Sequence, residues 1–295
     1  MGWTVTGSLD EFTAAAGAFL ARRPVEHSVF LTVTSVLRRN GLNAYGGPPL
    51  FGWHRAQDGT AESGAAQDGT AGEKAVEAVF LCTPPFPPLL SRGTPGAARE
   101  LAGVLDGPLY GVRGESGTVR EFAAAWRERT GARTRADRET RLHRLGRLVP
   151  PDPAPPGRAR VAGPGDRELL LRWQEGFFQD IGQEDHLGER LLDDALAHGG
   201  RTLWEVGGEP VAMAGTTPPE DGAVRVVSVY TPPELRGRGY AGAATAAVSR
   251  AALDAGASHV LLFTDLANPV SNRLYARLGY VPVEDQLSLV LEPAP

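Results

Sequence analysis

The chain has 295 residues, 42% hydrophobic and 22% charged, with a formal net charge of -5. That is the balance of a globular chain long enough for two domains, and it argues against a non-specific nucleic-acid binder, which would be basic. A single cysteine, Cys82, excludes an internal disulfide, and no apolar run is long enough to cross a bilayer, so a cytoplasmic protein with no membrane partner is expected.

In chain order, Leu9 to Leu37 reads as two helices broken at Pro24, with Ser8 or Asp10 as the first cap. Phe12, Ala15, Ala16, Phe19 and Leu20 fall at helical spacing in the first. A short strand, LFGWHR, follows Pro48 and Pro49. Residues 57–74 lie in a stretch that repeats AQDGTA and carries no large apolar side chain. Such a segment cannot offset its own ordering entropy and reads as a disordered hairpin loop. AVEAVFLCT is the returning strand, and PPFPPLLS a rigid connection or edge strand. A helix over 95–105, a strand PLYGV and a helix over 118–130 follow. The stretch 132–150 reads as a solvent-facing strand leading out of the domain.

Five prolines between Pro150 and Arg158 make a stiff extended spacer. The expected organisation is a first domain at 1–149, a linker at 150–158 and a second domain at 159–295. In the second, ARVAG reads as a strand, and Leu169 to Phe178 as a helix. Leu187 to His198 gives another helix, and RTLWEV and EPVAMAGTT a hairpin around Gly207 and Gly208. Then come VRVVSVYT, the turn PPELRGRGYA, an alanine-rich helix, the strand HVLLFT and the segment DLANPVSNRLYARLGY. The order is β–α–α–β–β–β–α–β–α–β.

The turn carries the chemistry. Gly237 and Gly239 let the backbone curl so that N–H groups from Arg238 to Ala241 face one way. The helix start adds a partial positive charge, and Arg236 and Arg238 add full ones. This is a device for holding a pyrophosphate. Downstream, Asn268 before Pro269 is a helix cap, Asn272 lies one turn on, Tyr275 is at i+3 from it, and Gly279 closes the helix. Glu184, Asp185, His186 and Glu189 read either as a solvated acidic face or as groups that attract a cationic amine. Glu205 and Glu234 are other candidate bases. No spaced His/Cys/Asp set suggests a metal, and there is no GxSxG motif.

The block Arg236–Ala241, set between a strand and a helix, resembles the acyl-CoA loop of the GNAT acetyltransferase superfamily, Arg/Gln-x-x-Gly-x-Gly/Ala. Arg236, Gly239 and Ala241 stand at its three fixed places. Asn268, Tyr275 and the pair Gly279–Tyr280 resemble the family's second signature. The long N-terminal half makes the whole similar to the glycine N-acyltransferase-like branch, in which a degenerate domain of similar build precedes the catalytic one. The resemblance implies an α/β (α+β) fold of tandem GNAT-like domains, each a mixed, mostly antiparallel sheet flanked by helices. It implies acetyl-CoA held by Val227, Ser228, Val229, Arg236, Gly237, Arg238, Gly239, Tyr240, Ala241, Asn268 and Asn272, with Tyr275 protonating the leaving thiolate. Glu184 and Asp185 would face the acceptor, a small-molecule or peptide amine. The first half has no glycine-rich turn of that quality, so one cofactor per chain is expected, in a monomer or homodimer. A non-catalytic acyl-CoA sensor or scaffold, and longer-chain acyl transfer to an amino acid, stay open as alternatives.

Overall fold

A computed structural model describes residues 2–55, 75–184 and 188–294. The expected loop at 57–74 and the candidate residue Asp185 lie outside them. The chain divides into two units, Met1–Thr140 with Glu284–Pro295, and Arg141–Val283.

The first unit contains β1 (Trp3–Thr6), α1 (Leu9–Ala21), α2 (Ser28–Asn40), β2 (Leu50–Arg55), β3 (Val76–Cys82), β4 (Leu89–Leu90), α3 (Pro95–Val104), β5 (Gly111–Glu115) and α4 (Ser116–Thr130). β6 (Arg133–Leu145) begins here and ends in the second unit. The sheet order is β1-β2-β3-β4-β5, and the next place belongs to β12 (Tyr280–Glu292), the last strand of the chain. Gln286 to Val290 of β12 pairs antiparallel with Glu115 to Gly111 of β5. Only β4 and β5 among these pairs run parallel. Helix starts are closed by their own side chains: Ser8 accepts from the Glu11 N–H, Thr94 from Ala97, and Glu115 from Gly117 and Thr118. Phe80, Leu101, Phe122, Trp126 and Leu289 meet in the core.

The second unit follows the expected element order: β7 (Arg158–Val161), α5 (Arg167–Asp180), α6 (Gly188–Ala197), β8 (Arg201–Val206), β9 (Glu209–Thr216), β10 (Ala223–Tyr230), α7 (Tyr240–Asp254), β11 (His259–Asp265) and α8 (Pro269–Arg277), ahead of the start of β12. Its strands are ordered β6-β11-β10-β9-β8-β7. β10 and β11 are parallel, and the β7-β8-β9-β10 meander is antiparallel. Helices flank both faces. On one, α7 brings Ala244 and Val248 onto Val224, Val226 and Val260. On the other, Leu170 of α5 and Leu192 of α6 pack on Leu203 and Met213. Each such fully buried leucine contributes about 1.5–3 kcal/mol of transfer free energy.

The division departs from the sequence boundaries in two places. The proline-rich stretch at 150–158, expected as a spacer, belongs to the second unit. A Cβ on Gly239 would touch Pro155 at 3.7 Å, one on Gly242 would touch Pro151 at 3.7 Å, and Trp204 Nε1 donates to the Pro156 carbonyl at 2.9 Å. Prolines pack here without leaving backbone donors unsatisfied. Second, the chain from Glu284 onward belongs to the first unit, because β5 needs a neighbour and β12 supplies it.

Candidate functional site

A groove opens between β10 and β11. Their ladder runs from Ala223 opposite His259 to Arg225 opposite Leu261 and then stops. On the other side of β10 the register with β9 slips between Val227–Gly215 and Tyr230–Met213. The extra residue is a β-bulge, and Ser228 takes a φ of 50° within it. A left-handed conformation costs a residue with a Cβ on the order of 1–3 kcal/mol, so the surroundings must hold Ser228 in it. Val227, Ser228 and Val229, the residues expected along the cofactor arm, are the ones at the bulge. Two hydroxyls that sequence reasoning passed over stand nearby. Thr231, just past β10, and Thr264, in β11, are buried with no hydrogen-bond partner among the described residues. Unpaired buried hydroxyls of that kind are costly unless something else satisfies them.

The turn after β10 passes through a 3-10 segment (Pro233–Leu235) and enters α7 at Gly239. Gly237 and Gly239 have φ of 77° and 82°, which explains both glycines by conformation. A Cβ on Gly237 would meet nothing within 4 Å, so the space in front of it is open. No side chain caps α7. Among the described residues, the N–H groups from Gly237 to Gly242 find no acceptor; the first helical bond runs from the Ala243 N–H to the Gly239 carbonyl. An uncapped helix start with a run of unpaired N–H groups is a site for an anion. Tyr240 is buried and anchors the turn in the core beside Ala244, while Ala241 is half-buried at the mouth.

The two arginines of the turn have duties inside the chain. Arg236 donates from Nε to the Thr231 carbonyl at 2.9 Å, lies 5.8 Å from the Tyr230 ring and pairs with Asp180 at the end of α5. It braces the turn against strand and helix. Arg238 is exposed and reaches the Glu234 carbonyl at 3.3 Å. The positive character of the turn thus rests first on backbone N–H groups and Arg238.

α8 borders the other strand of the groove. Asn268 is its N-cap, accepting from the Val270 and Ser271 N–H groups at 3.1 Å each. Asn272 turns back and donates from Nδ2 to the Asp265 carbonyl at 3.0 Å, tying the helix to the end of β11. Tyr275 is buried and meets Tyr280 edge-on with ring centroids 6.1 Å apart. Burial holds its phenol above the ordinary tyrosine range, and the neighbouring Tyr280 adds to that. Tyr280, pushed up to about 12 by burial, is tied to Ser249 at 2.7 Å. The Tyr275 hydroxyl has no hydrogen-bond partner among the described residues. A phenol in that state is a proton donor and not a base.

The acidic candidates do not converge. Glu205 is buried under Arg160 at 2.7 Å, and the same guanidinium forks onto Asp166. Glu189 and Asp193 share Arg167 on the surface. Glu234 and Glu184 are exposed. An open cleft of about 400 Å³ between α5 and α6 is lined by Leu171, Phe178, Gln183, Gly188 and Glu189, among others, and by no residue of the groove. Among the described residues no group of three or more His, Cys, Asp or Glu could hold a metal ion, and no helix is long and apolar enough to cross a membrane.

Residues 167–280 match the model of the acetyltransferase (GNAT) family. Among curated proteins none matches the chain. Among solved structures, a Drosophila protein superposes with a TM-score of 0.65 at 15% identity, covering 99% of each chain. An acetyltransferase from the GNAT family of Colwellia psychrerythraea gives 0.60 at 10% identity, covering 99% of this chain and all of that one (100%). A GCN5-related N-acetyltransferase from Kribbella flavida gives 0.51 at 20% identity, over 74% of this chain and 88% of the other. At such identities the likeness is one of fold: a tandem GNAT fold with a mixed, mostly antiparallel sheet, as expected. The family match lies within the second unit.

Proposed function

We propose that the second unit of this GNAT-fold chain is an acetyl-CoA-dependent N-acetyltransferase with one active site. The observation that carries this is the run of unpaired N–H groups at Gly237 to Gly242, beside the place where β10 and β11 part. It fits a pyrophosphate, and the orphaned hydroxyls of Thr231 and Thr264 fit a ligand with polar groups along the groove. Acetyl-CoA bound there supplies an activated acetyl group for an amine of the acceptor. The chain's own part is to bind, orient and move a proton. Arg238 and the turn hold the diphosphate end. Backbone groups at Val227 to Val229, displaced from the ladder by the bulge, extend the groove and polarise the carbonyl through an N–H. Tyr275 donates its proton to the departing thiolate. Asn268 and Asn272 act by fixing the start of α8, which carries Tyr275. The acceptor amine gives up its proton to water, since none of the carboxylates described above converges on the groove. Rate comes mainly from positioning both reactants.

The first unit has no second site in this reading. Its α3 is capped by Thr94, and β4 and β5 lie closed on each other at Gly114, where a Cβ would overlap the Leu90 carbonyl oxygen. Among the described residues of the first unit, α1, α3 and α4 start on side-chain caps, and the parallel pair β4–β5 does not part. Calorimetry with acetyl-CoA tests both statements. One site per chain is expected, and Gly239→Val, which cannot hold a φ of 82°, is expected to weaken binding by roughly tenfold or more. No binding at millimolar acetyl-CoA ends the reading, and two sites per chain end its single-site part. A panel of acyl-CoA chain lengths separates acetyl transfer from longer-chain transfer.

A further inference from the structure

Arg113 stands in the middle of β5, and strand register sets the face it occupies. It pairs with Leu89 of β4 on one side and with Ser288 of β12 on the other. Leu89 pairs in turn with Leu81, and Leu81 with Phe51, on which Phe12 of α1 is stacked at 5.0 Å. Paired residues share one face of a sheet, so Arg113 lies on the face of α1. Val112, the residue before it, goes to the opposite face and joins the core with Leu101 and Phe122. A row of buried apolar side chains thus runs directly into a guanidinium.

No carboxylate meets that charge. Among the described residues Arg113 makes no ion pair and no side-chain hydrogen bond, and its Nε is buried without an acceptor. The guanidinium lies over the ring of Phe86, with Cζ 5.4 Å from the centroid. Tyr45 closes the corner, edge-on to Phe86 with ring centroids 6.1 Å apart. Burial pulls Arg113 below the ordinary arginine range, and the ionisable groups that act on it are the Tyr45 phenol and the Cys82 thiol. Other arginines of the same unit differ: Arg92 reaches Glu284, Arg99 reaches Glu128 and Arg120 reaches Glu139, and all three are exposed. Carboxylates stand where water already screens the charge, and none stands at Arg113. A cation partly out of water without a counter-ion is expensive, and it is ready for an anion from outside the chain.

The surroundings also select the anion. Arg113 is half-buried, so a small solute can approach it. Its guanidinium presents paired N–H groups that match the two oxygens of a carboxylate. Ser288, one strand spacing of about 4.8 Å along the row, brings a hydroxyl that makes no hydrogen bond among the described residues. One positive charge is neutralised by a monoanion, whereas a dianion would leave a negative charge partly out of water. Phe86 and Tyr45 offer apolar walls to a short carbon chain.

We propose that Arg113, Ser288 and Phe86 form a binding site for a small monocarboxylate, made wholly of first-unit residues and sharing none with the acetyl-CoA groove. It is a ligand site in its own right and has no part in acetyl transfer.

Calorimetric titration with butyrate, butyramide and inorganic phosphate tests it, with acetyl-CoA as the control. Butyrate is expected to bind once per chain with a Kd of about 1 mM or tighter. Butyramide and phosphate should bind about tenfold more weakly or not at all. Arg113→Met should weaken butyrate by about tenfold or more, and Arg113→Lys, which keeps the charge and loses the fork, by about threefold or more. The Tm of Arg113→Met should not fall, because an uncompensated charge leaves with the side chain. Acetyl-CoA affinity should stay within about twofold of wild type in both variants, as for independent sites. Equal binding of butyrate and butyramide, phosphate bound as tightly as butyrate, or butyrate affinity unchanged in both variants overturns the proposal. Failure of acetyl-CoA to bind the wild type would end the acetyl-transfer reading and leave this site standing.

Discussion

Replacing Tyr275 by Phe is expected to lower kcat for acetyl transfer by about 10²–10⁴-fold, the range for loss of a positioned general acid, with acetyl-CoA affinity within about twofold of wild type. The substitution removes one oxygen that has no hydrogen-bond partner among the described residues, so the packing of the ring on Tyr280 survives. Kinetics and calorimetry on the same preparation check it. The pH profile gives a second reading. Burial keeps the phenol protonated above the ordinary tyrosine range, so the group stays competent as an acid as pH rises. The wild-type rate should climb with deprotonation of the acceptor amine and then hold a plateau past about pH 10, where an ordinary tyrosine would ionise. Full activity in Tyr275→Phe removes the residue from the mechanism. Absence of any turnover, with cofactor affinity intact in both proteins, favours a sensor.

Gly279→Val should be the most destabilising of the substitutions considered, by about 3–5 kcal/mol. Gly279 ends α8 with a φ of 95°, and a Cβ there would overlap the carbonyl oxygen of Arg147. The same junction carries a bond from the Gly146 N–H to the Gly279 carbonyl and one from the Val149 N–H to the Leu278 carbonyl, each 3.0 Å. Strain and steric overlap therefore fall on a point that also fixes the helix bearing Tyr275. Urea denaturation measures the loss, and a change below about 1 kcal/mol would show that the junction relaxes freely. The whole margin of a domain is about 5–15 kcal/mol, so poor expression of this variant is part of the expectation.

Much of the second unit was legible because its signals are local. The alternation in RTLWEV, the glycines of RGRGYA and the Asn-Pro start of α8 each specify their own few residues, and the element order came out as read. What stayed hidden depends on partners distant in sequence. Nothing in VRVVSVY marks the bulge at Ser228, since the residue with positive φ carries a side chain and no glycine announces it. Arg236 looked like a phosphate ligand, and its link to Asp180 joins residues 56 apart in the chain. Arg113 reads as an ordinary strand residue until the register sets it in the row of Leu81 and Leu89. β4, only Leu89 and Leu90, is too short for any periodicity, and Trp3–Thr6 gives four residues of alternation at most. The proline-rich stretch at 150–158 has the composition of a spacer, and only its contacts with Trp204, Gly239 and Gly242 reveal it as packed structure.

The last strand of the chain also orders events during synthesis. β5 receives its antiparallel neighbour from Gln286 to Val290, so a ribosome that has completed residue 150 has made every helix of the first unit but not its final strand. Until then β5 presents an unsatisfied edge, and residues 111–115 wait for a partner more than 170 positions away. The second unit, by contrast, has all of its residues in one uninterrupted run, Arg141–Val283. Emerging later, it can nonetheless finish first, with the N-terminal half sealed only once residues 286–290 have been made. Such a chain is most exposed to strand-edge aggregation between the synthesis of β5 and that of β12, and a fragment ending near residue 150 would carry that exposure permanently.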